Sequence, residues 1–248
     1  MKNSKNETKF NKDMQNLIYG RNPLLSFIAN GQVQKVYLQE GFKDKIILGE
    51  IQKSKLPIEF MNVNELNKLT NFGNHQGIAG IIKPFQYSSL SEIIKSSKKS
   101  VQPLVVLLDG INDPQNLGAI IRSCDAFNVD GLIIKSHNQV PVNMTVTKVS
   151  TGASSYVKIA VVSNLNNAIK ELKKNGFWVY ASDGKANEDY SKQNYQGSVA
   201  LILGSEGDGI SPLVLENSDI IIKIPMMGHV NSLNVSVATG ILLSRIRQ

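Results

Sequence analysis

Apolar and polar positions along the chain predict two α/β segments. Between about residues 17 and 83, short apolar runs typical of strands alternate with stretches of helical spacing. The apolar runs of the second segment are longer, and Leu104–Leu108 is apolar throughout, which is typical of a parallel strand buried on both faces. Strands and helices then alternate towards the end of the chain, and this order predicts a parallel sheet with helices on both faces.

The same patterns divide the chain into four regions. Residues 1–13 are polar, rich in lysine and without periodicity, and they predict a disordered basic arm. The pattern predicts a small α/β domain for residues 14–83 and a larger α/β domain for residues 104–248. Residues 84–103, rich in serine and lysine, predict a linker that contains one short amphipathic helix.

Composition limits the classes of protein to which the chain can belong. With 248 residues, of which 42% are hydrophobic, it can bury a sizeable core. No apolar run is long enough to cross a bilayer, and the N-terminus lacks the apolar region of a signal peptide, so we expect a cytoplasmic protein with no membrane partner. One cysteine and three scattered histidines exclude an intrachain disulfide and predict no metal site.

Net charge is concentrated in the first part of the chain. Residues 1–100 contain 15 Lys and Arg against 8 Asp and Glu, whereas residues 101–248 contain 12 of each class. A basic segment joined to a neutral α/β domain favours an acidic polymer, most simply a nucleic acid, as the partner. The alternative is that these lysines only keep the protein soluble.

Three polar, glycine-containing loops follow predicted strands and provide the candidate chemistry. They lie within residues 109–118, 203–209 and 224–240. The carboxyl ends of parallel strands meet at one edge of a sheet, which is where open α/β sheets bind ligands. Serine and asparagine also cap helices, so capping alone is the alternative interpretation of Ser232 and Asn234. Neither the Gly-x-Gly-x-x-Gly fingerprint nor the P-loop pattern occurs, which excludes the common nucleotide-binding loops.

The residues of these loops resemble the three motifs of the TrmH (SpoU) family of SPOUT-class RNA ribose methyltransferases. The motifs here are Asp113–Gly118 with Arg122, then Leu203–Gly207, then Ile224–Ser236. Their order and spacing match the family over roughly residues 104–248, so the resemblance rests on three motifs rather than on one.

The first α/β domain resembles the small L30e-like substrate-binding domain of the 23S rRNA guanosine 2′-O-methyltransferase branch of this family. The residues that carry this resemblance are Tyr19–Asn22 and His75–Ile78. The histidine and glutamine of the second motif are equally compatible with contact to RNA and with a turn that contains a hydrogen-bonded histidine. The resemblance implies that residues 14–83 bind the RNA substrate and that residues 104–248 form the methyltransferase domain.

The resemblance further implies that the larger domain is a SPOUT α/β knot, a parallel sheet flanked by helices and threaded into a trefoil knot. It implies S-adenosylmethionine as the cofactor, RNA as the substrate, and an obligate homodimer with active sites near the subunit interface. The cofactor-binding positions of the family correspond here to Gly204, Ile224 and Leu233. Its catalytic positions correspond to Asn116, Arg122, Glu206, Ser232 and Asn234.

Methyl transfer to a ribose 2′-oxygen requires aligned reactants and a destination for the hydroxyl proton. Arg122 is unsuited to act as the base, because a guanidinium keeps its proton in proteins, and we expect it to bind the target phosphate. Asn116, Ser232 and Asn234 are expected to orient the hydroxyl and the methionine end of the cofactor. Glu206 is expected to hold neighbouring groups in place or to accept the proton through water. Taken singly, each residue has a structural alternative: an ion pair for the arginine, a helix cap for the asparagines, a surface position for the glutamate.

The resemblance therefore predicts S-adenosylmethionine-dependent 2′-O-methylation of a ribose, most specifically of a guanosine in 23S rRNA. Other targets of the same chemistry are a tRNA ribose and a 23S rRNA adenosine whose methylation confers antibiotic resistance. A noncatalytic RNA-binding or ribosome-assembly protein of the same fold is the alternative from a different class. The five matching catalytic positions argue against that alternative.

Overall fold

The computed structural model describes residues 16–248, which form two compact units. The first unit extends to Phe85 and also includes Thr151–Tyr156. The second unit comprises Gln86–Ser150 and Val157–Gln248. The arm predicted for residues 1–13 lies outside the described residues.

The first unit is built on a mixed sheet of four strands in the order β1-β4-β2-β3. Strand β4 is antiparallel to β1 and to β2, whereas β3 is parallel to β2. The strands are β1 (Leu17–Tyr19), β2 (Val33–Gln39), β3 (Ile58–Met61) and β4 (Ile78–Ile82). The helices are α1 (Arg21–Ala29), α2 (Lys45–Lys53) and α3 (Val63–Leu69).

The second unit is built on a sheet of seven strands in the order β7-β6-β5-β10-β8-β11-β9, with every neighbouring pair parallel. The strands are β5 (Leu104–Asp109), β6 (Gly131–Lys135), β7 (Ile159–Val162), β8 (Phe177–Ser182), β9 (Glu188–Asp189), β10 (Ser198–Gly204) and β11 (Ile220–Lys223). The helices are α4 (Leu90–Ser97), α5 (Pro114–Ala126), α6 (Met144–Val149), α7 (Leu165–Lys174), α8 (Pro212–Glu216) and α9 (Val235–Ile246). The predicted class is confirmed: a parallel sheet with helices, preceded by a small α/β unit.

The centre of this sheet contains a topological switch point between β5 and β10. From β5 the chain continues to β6 and β7 on one side, whereas from β10 it continues to β11 on the other side. Loops that leave adjacent strands in opposite directions open a crevice at the carboxyl edge, where α/β sheets bind ligands. The last residues of the two strands, Asp109 and Gly204, are register partners at this edge.

Residues 84–103, predicted as a linker, are in large part packed into the second unit. Ile93 and Ile94 on α4 are buried in the same apolar cluster as Val105 and Ile133. The approach is close, because a Cβ added at Gly131 would lie 2.4 Å from Ile93 Cγ2. An amphipathic helix is stabilised mainly by burying its apolar face, so this helix joins the sheet instead of remaining a free connection.

Candidate active site

Helix α5 brings Asn116 to the carboxyl edge of the sheet directly after β5. Asp113 caps this helix, with its carboxylate accepting hydrogen bonds from Gln115 N at 3.0 Å and Asn116 N at 3.3 Å. Pro114 occupies the first helical turn, where its missing N–H costs nothing. The helix therefore begins at Pro114, and Asn116 lies within its first turn.

Three predicted catalytic side chains meet in one hydrogen-bonded cluster. Asn116 Nδ2 donates to Glu206 Oε1 at 3.2 Å. Asn234 Nδ2 donates to Asn116 Oδ1 at 2.8 Å and to Glu206 Oε1 at 2.5 Å. The cluster thus joins the loops that follow β5, β10 and β11, which are separated by up to 118 residues in sequence.

Asn234 combines capping with membership of this cluster. Its Oδ1 accepts hydrogen bonds from Ser236 N at 2.9 Å and Ser236 Oγ at 2.5 Å, and so caps α9. Because the oxygen faces the helix, the amide nitrogen is directed towards Asn116 and Glu206. The capping and functional interpretations of Asn234 are therefore compatible, since one side chain meets both requirements.

Glu206 presents one carboxylate oxygen to the cluster and leaves the other open. Oε1 accepts hydrogen bonds from two amide nitrogens, whereas Oε2 has no hydrogen-bond partner among the described residues. The residue is exposed, while Asn116 is only 9% exposed. The site thus combines the buried amide of Asn116 and the exposed amide of Asn234 with a carboxylate oxygen that a ligand or water can reach.

The loop after β10 packs unusually tightly against the end of its own strand. Ser205 and Gly209 exchange two backbone hydrogen bonds of 3.1 Å, which close the loop over Gly204. A Cβ at Gly204 would lie 2.1 Å from the carbonyl carbon of Gly209 and 2.4 Å from Ile210 N. Only glycine fits this position without moving backbone atoms.

Asp109 is a buried acid that holds three segments together at the carboxyl end of β5, and it was not among the predicted site residues. Its Oδ1 pairs with Lys135 Nζ at 2.5 Å, and its Oδ2 accepts from Ser211 N at 2.8 Å and Ser211 Oγ at 2.7 Å. Burial by itself would raise the pKa of Asp109, but the hydrogen bonds from Lys135 and Ser211 outweigh it and lower the pKa below its ordinary value. An aspartate that ends an otherwise apolar strand was the available signal.

Two predicted catalytic residues lie outside the cluster. Arg122 is on the exposed side of α5, and Ser232 is exposed in the loop before α9. Neither forms a hydrogen bond or ion pair with any of residues 16–248. Arg122 therefore does not take up the predicted alternative of an ion pair with a nearby aspartate.

The predicted cofactor residues lie at the same edge of the sheet. Gly204 ends β10, Ile224 directly follows β11, and Leu233 directly precedes the cap of α9. Ile224 and Leu233 are partly exposed. Within the described chain, no three His, Cys, Asp or Glu side chains are grouped so as to hold a metal ion, and no helix is both long and apolar enough to cross a membrane.

Comparison with known proteins assigns both units to characterised families. Residues 103–244 match the SpoU rRNA Methylase family, and residues 17–88 match the family described as RNA 2′-O ribose methyltransferase substrate binding. A relative from Staphylococcus haemolyticus (strain JCSC1435) is 39% identical over 93% of this chain and 94% of its own length, and one from Staphylococcus aureus (strain COL) is 40% identical over the same shares. Both are named as members of the TrmH family of tRNA/rRNA methyltransferases.

Solved structures agree with this fold at lower sequence identity. The SpoU methyltransferase AviRb from Streptomyces viridochromogenes matches with a TM-score of 0.79 at 20% identity, over 97% of this chain and 91% of its own. An AdoMet-bound rRNA methyltransferase from Sinorhizobium meliloti matches with a TM-score of 0.77 at 24% identity, over 93% and 86%. Because the family match covers more than half of the chain and relatives near 40% identity cover almost all of it, this chain belongs to the SpoU (TrmH) family of RNA methylases.

Proposed function

We propose that this protein transfers a methyl group from S-adenosylmethionine to a ribose 2′-oxygen of RNA, and that its target is a guanosine of 23S rRNA in the cytoplasm. The observation that carries the proposal is the cluster of Asn116, Glu206 and Asn234 at the switch point of the sheet. Membership of the family supports the reaction, and the match of residues 17–88 to a substrate-binding family supports RNA as the substrate.

The cofactor supplies a methyl group on a sulfonium, which the 2′-oxygen displaces. Gly204, Ile224 and Leu233 would hold its adenosine part, with backbone groups at the polar edges and the two apolar side chains against the ring. These residues fit that ligand, because adenosine sites combine apolar walls with a few fixed polar groups. The closure of the loop over Gly204 gives this wall a defined backbone path.

The proposed acceptor of the 2′-hydroxyl proton is Glu206 Oε2, the carboxylate oxygen outside the hydrogen-bonded cluster. Oε2 is free to accept it directly or through one water, while Oε1 remains hydrogen-bonded to the two asparagine amides. Asn116 and Asn234 therefore position the carboxylate, and their own polar atoms are largely satisfied within the cluster. The exposed hydroxyl of Ser232 is the group that would orient the ribose hydroxyl or the methionine end of the cofactor.

Arg122 would bind the phosphate next to the target ribose and thereby polarise the 2′-hydroxyl of that ribose. A guanidinium with no partner among residues 16–248 is ready to form a bidentate pair with a phosphate. We place this arginine in the active site of the other subunit of a homodimer, since it does not join the cluster of its own chain.

An uncharged helix supports the homodimer. Residues 235–244 of α9 contain no charged side chain, although only one face of the helix is buried. Val237, on the opposite face, is 50% exposed, and Met227 and Val230 in the preceding loop are 97% and 63% exposed. An uncharged helix with exposed apolar side chains opposite its buried face is normally covered on both faces, so a second copy of the chain is its proposed cover. The trefoil knot implied by the family resemblance belongs to the same proposal.

Methylation assays with purified protein and radiolabelled S-adenosylmethionine test the reaction and its target together. We expect transfer to a 23S rRNA transcript, mapped to the 2′-oxygen of one guanosine, and no transfer by the Glu206→Ala variant. Transfer to tRNA or to a 23S adenosine would reject the target and keep the chemistry. Absence of cofactor binding in calorimetry would reject the chemistry and favour a noncatalytic RNA-binding protein.

A further inference from the structure

A cleft of about 610 Å³ lies in the first unit and takes no part in the proposed methyl transfer. Its walls are the turn after β2 at residues 39–43, the turn before β4 at residues 73–77, and Arg21 at the start of α1. The volume falls within the range of about 300–1,000 Å³ that is typical of small-molecule sites. Both turns carry polar side chains, so the cleft is suited to a polar ligand of moderate size.

Arg21 is held in a fixed position at the edge of this cleft. Its guanidinium carbon lies 5.4 Å from the centre of the Phe42 ring, and its Nη1 lies 3.5 Å from Asp44 Oδ2. Its backbone N donates to Gln76 Oε1 at 2.8 Å, and its Nε donates to Gln76 O at 3.4 Å. The side chain nevertheless remains 49% exposed. A planar cation that is already ordered loses little entropy when an aromatic ring stacks on it.

His75 fixes the turn that faces Arg21 and is not itself available to a ligand. Its Nδ1 accepts a hydrogen bond from Gly77 N at 2.9 Å, so its proton is on Nε2 and is donated to Asn67 Oδ1 at 2.9 Å. The histidine is 8% exposed. It therefore supports the left-handed conformation of Gln76, whose φ is 54°, and keeps that residue exposed.

Three polar groups around the cleft have no partner among the described residues. They are Gln76 Nε2, the side-chain amide of Asn74 and the ammonium of Lys43. The charged residues that line the cleft are Arg21, Lys43 and Glu40, which together give a net charge of about +1. This net positive charge is too small to bind several phosphates of an RNA backbone, but it matches one phosphate beside one base.

We propose that this cleft binds a single unpaired nucleotide of the RNA substrate other than the nucleotide that is methylated. The base stacks on the Arg21 guanidinium, the amides of Asn74 and Gln76 hydrogen-bond to its edge, and Lys43 pairs with its phosphate. Stacking on arginine planes and edge contacts from amides are the usual means by which proteins recognise single-stranded RNA. The proposal rests on the proposed function, because it requires an RNA substrate.

The test measures binding of a 23S rRNA transcript and of a tRNA transcript to the full chain at several salt concentrations. Arg21→Lys keeps the charge and removes the stacking plane, so we expect binding to weaken about 5- to 150-fold with an unchanged salt slope. Lys43→Ala should weaken binding and reduce the slope by about 0.7, as expected for one lost contact to a single-strand phosphate. Lys53→Ala, an exposed lysine of the same unit outside the cleft, is the matched control and should bind as the unchanged protein does.

Wild-type affinity of the Arg21→Lys variant would overturn the stacking role. If Arg21→Lys lowers the thermal midpoint, Asn74→Ala decides the matter, because the exposed amide of Asn74 has no partner to lose in the part of the chain that the structure describes. Normal RNA binding by Asn74→Ala would then reject the cleft. Methyl transfer by the unchanged protein is measured in parallel, so that failure of the proposed function is distinguished from failure of this subsite.

Discussion

Gly204→Ala tests whether the closed loop after β10 forms the cofactor wall. The added methyl carbon would lie 2.1 Å from the carbonyl carbon of Gly209, 2.3 Å from its oxygen and 2.4 Å from Ile210 N. All three are backbone atoms, so no side chain can rotate away to make room. The loop at residues 205–209 must therefore move.

The size of the effect follows from the required displacement. Carbon atoms in contact are about 3.5 Å apart or more, so the loop must shift by about 1.4 Å. Overpacking of this kind typically costs about 1–3 kcal/mol. If the strain is relieved by displacing the loop, the binding-competent fraction falls and the dissociation constant of S-adenosylmethionine rises about 5- to 150-fold. If the shifted loop still forms the cofactor wall, the same free energy appears instead as a thermal midpoint lower by about 2–12 °C.

Calorimetric titration with S-adenosylmethionine and thermal unfolding of the unliganded protein together record both outcomes. Gly207→Ala is the matched control in the same loop, because a Cβ there would meet no atom within 4 Å and its backbone is not left-handed. We expect this control to retain the affinity and thermal midpoint of the unchanged protein.

Wild-type affinity and wild-type stability of Gly204→Ala would contradict the prediction that a side chain at this position displaces the loop, since the loop would then accommodate it at no cost. Equal losses in Gly204→Ala and Gly207→Ala would also contradict it. That result would assign the effect to general mobility of the loop and not to the close approach at Gly204.

Arg122→Ala should reduce methyl transfer at least about a hundredfold while the affinity for S-adenosylmethionine stays the same, because the lost group binds the substrate phosphate; a large loss of cofactor affinity in calorimetry would contradict this role. Val237→Glu should convert the proposed dimer to monomers in analytical ultracentrifugation and abolish transfer, whereas the exposed control Val101→Glu should alter neither. Asp109→Asn should lower the free energy of unfolding at pH 7 by about 2 kcal/mol, discounted for the partial exposure of Lys135. Since the folded pKa of Asp109 is lowered, its contribution to the free energy of unfolding is complete above the ordinary aspartate pKa of about 3.9 and is lost as the pH falls below it. Denaturant unfolding should therefore give the two proteins equal free energies of unfolding in acid. A difference that persists there would assign the loss to packing.

The order of strands and helices could be predicted from the sequence because burial imposes its period on the residues. Strand β5 is apolar from Leu104 to Leu108 and is buried throughout, as the continuous run required. Very short or weakly patterned elements escaped this reasoning. Strand β1 has three residues, and α6 lies in a Thr- and Ser-rich stretch where Asn143 caps it by accepting from Val146 N at 3.0 Å. In such elements, tertiary contacts supply the stability that local pattern does not.

The positions of the helix N-caps could be predicted from the sequence only in part. The cap of α3 is Asn62, which exchanges hydrogen bonds with Glu65 in a capping box. Asn64 lies two residues later and is equivalent to Asn62 by residue type. The glutamate three residues after Asn62 distinguishes them, because only that spacing allows both reciprocal bonds.

The pattern of strands predicts that the candidate side chains lie at one edge of a parallel sheet, because each follows a strand and parallel strands end together. Which of these side chains touch is known only from the folded chain: Asn116, Glu206 and Asn234 are joined, whereas Arg122 and Ser232 are not. Strand order, and therefore the distance between loops far apart in sequence, depends on how the helices pack across the sheet. A periodic pattern specifies which face of an element is buried, but it does not specify which neighbour covers that face.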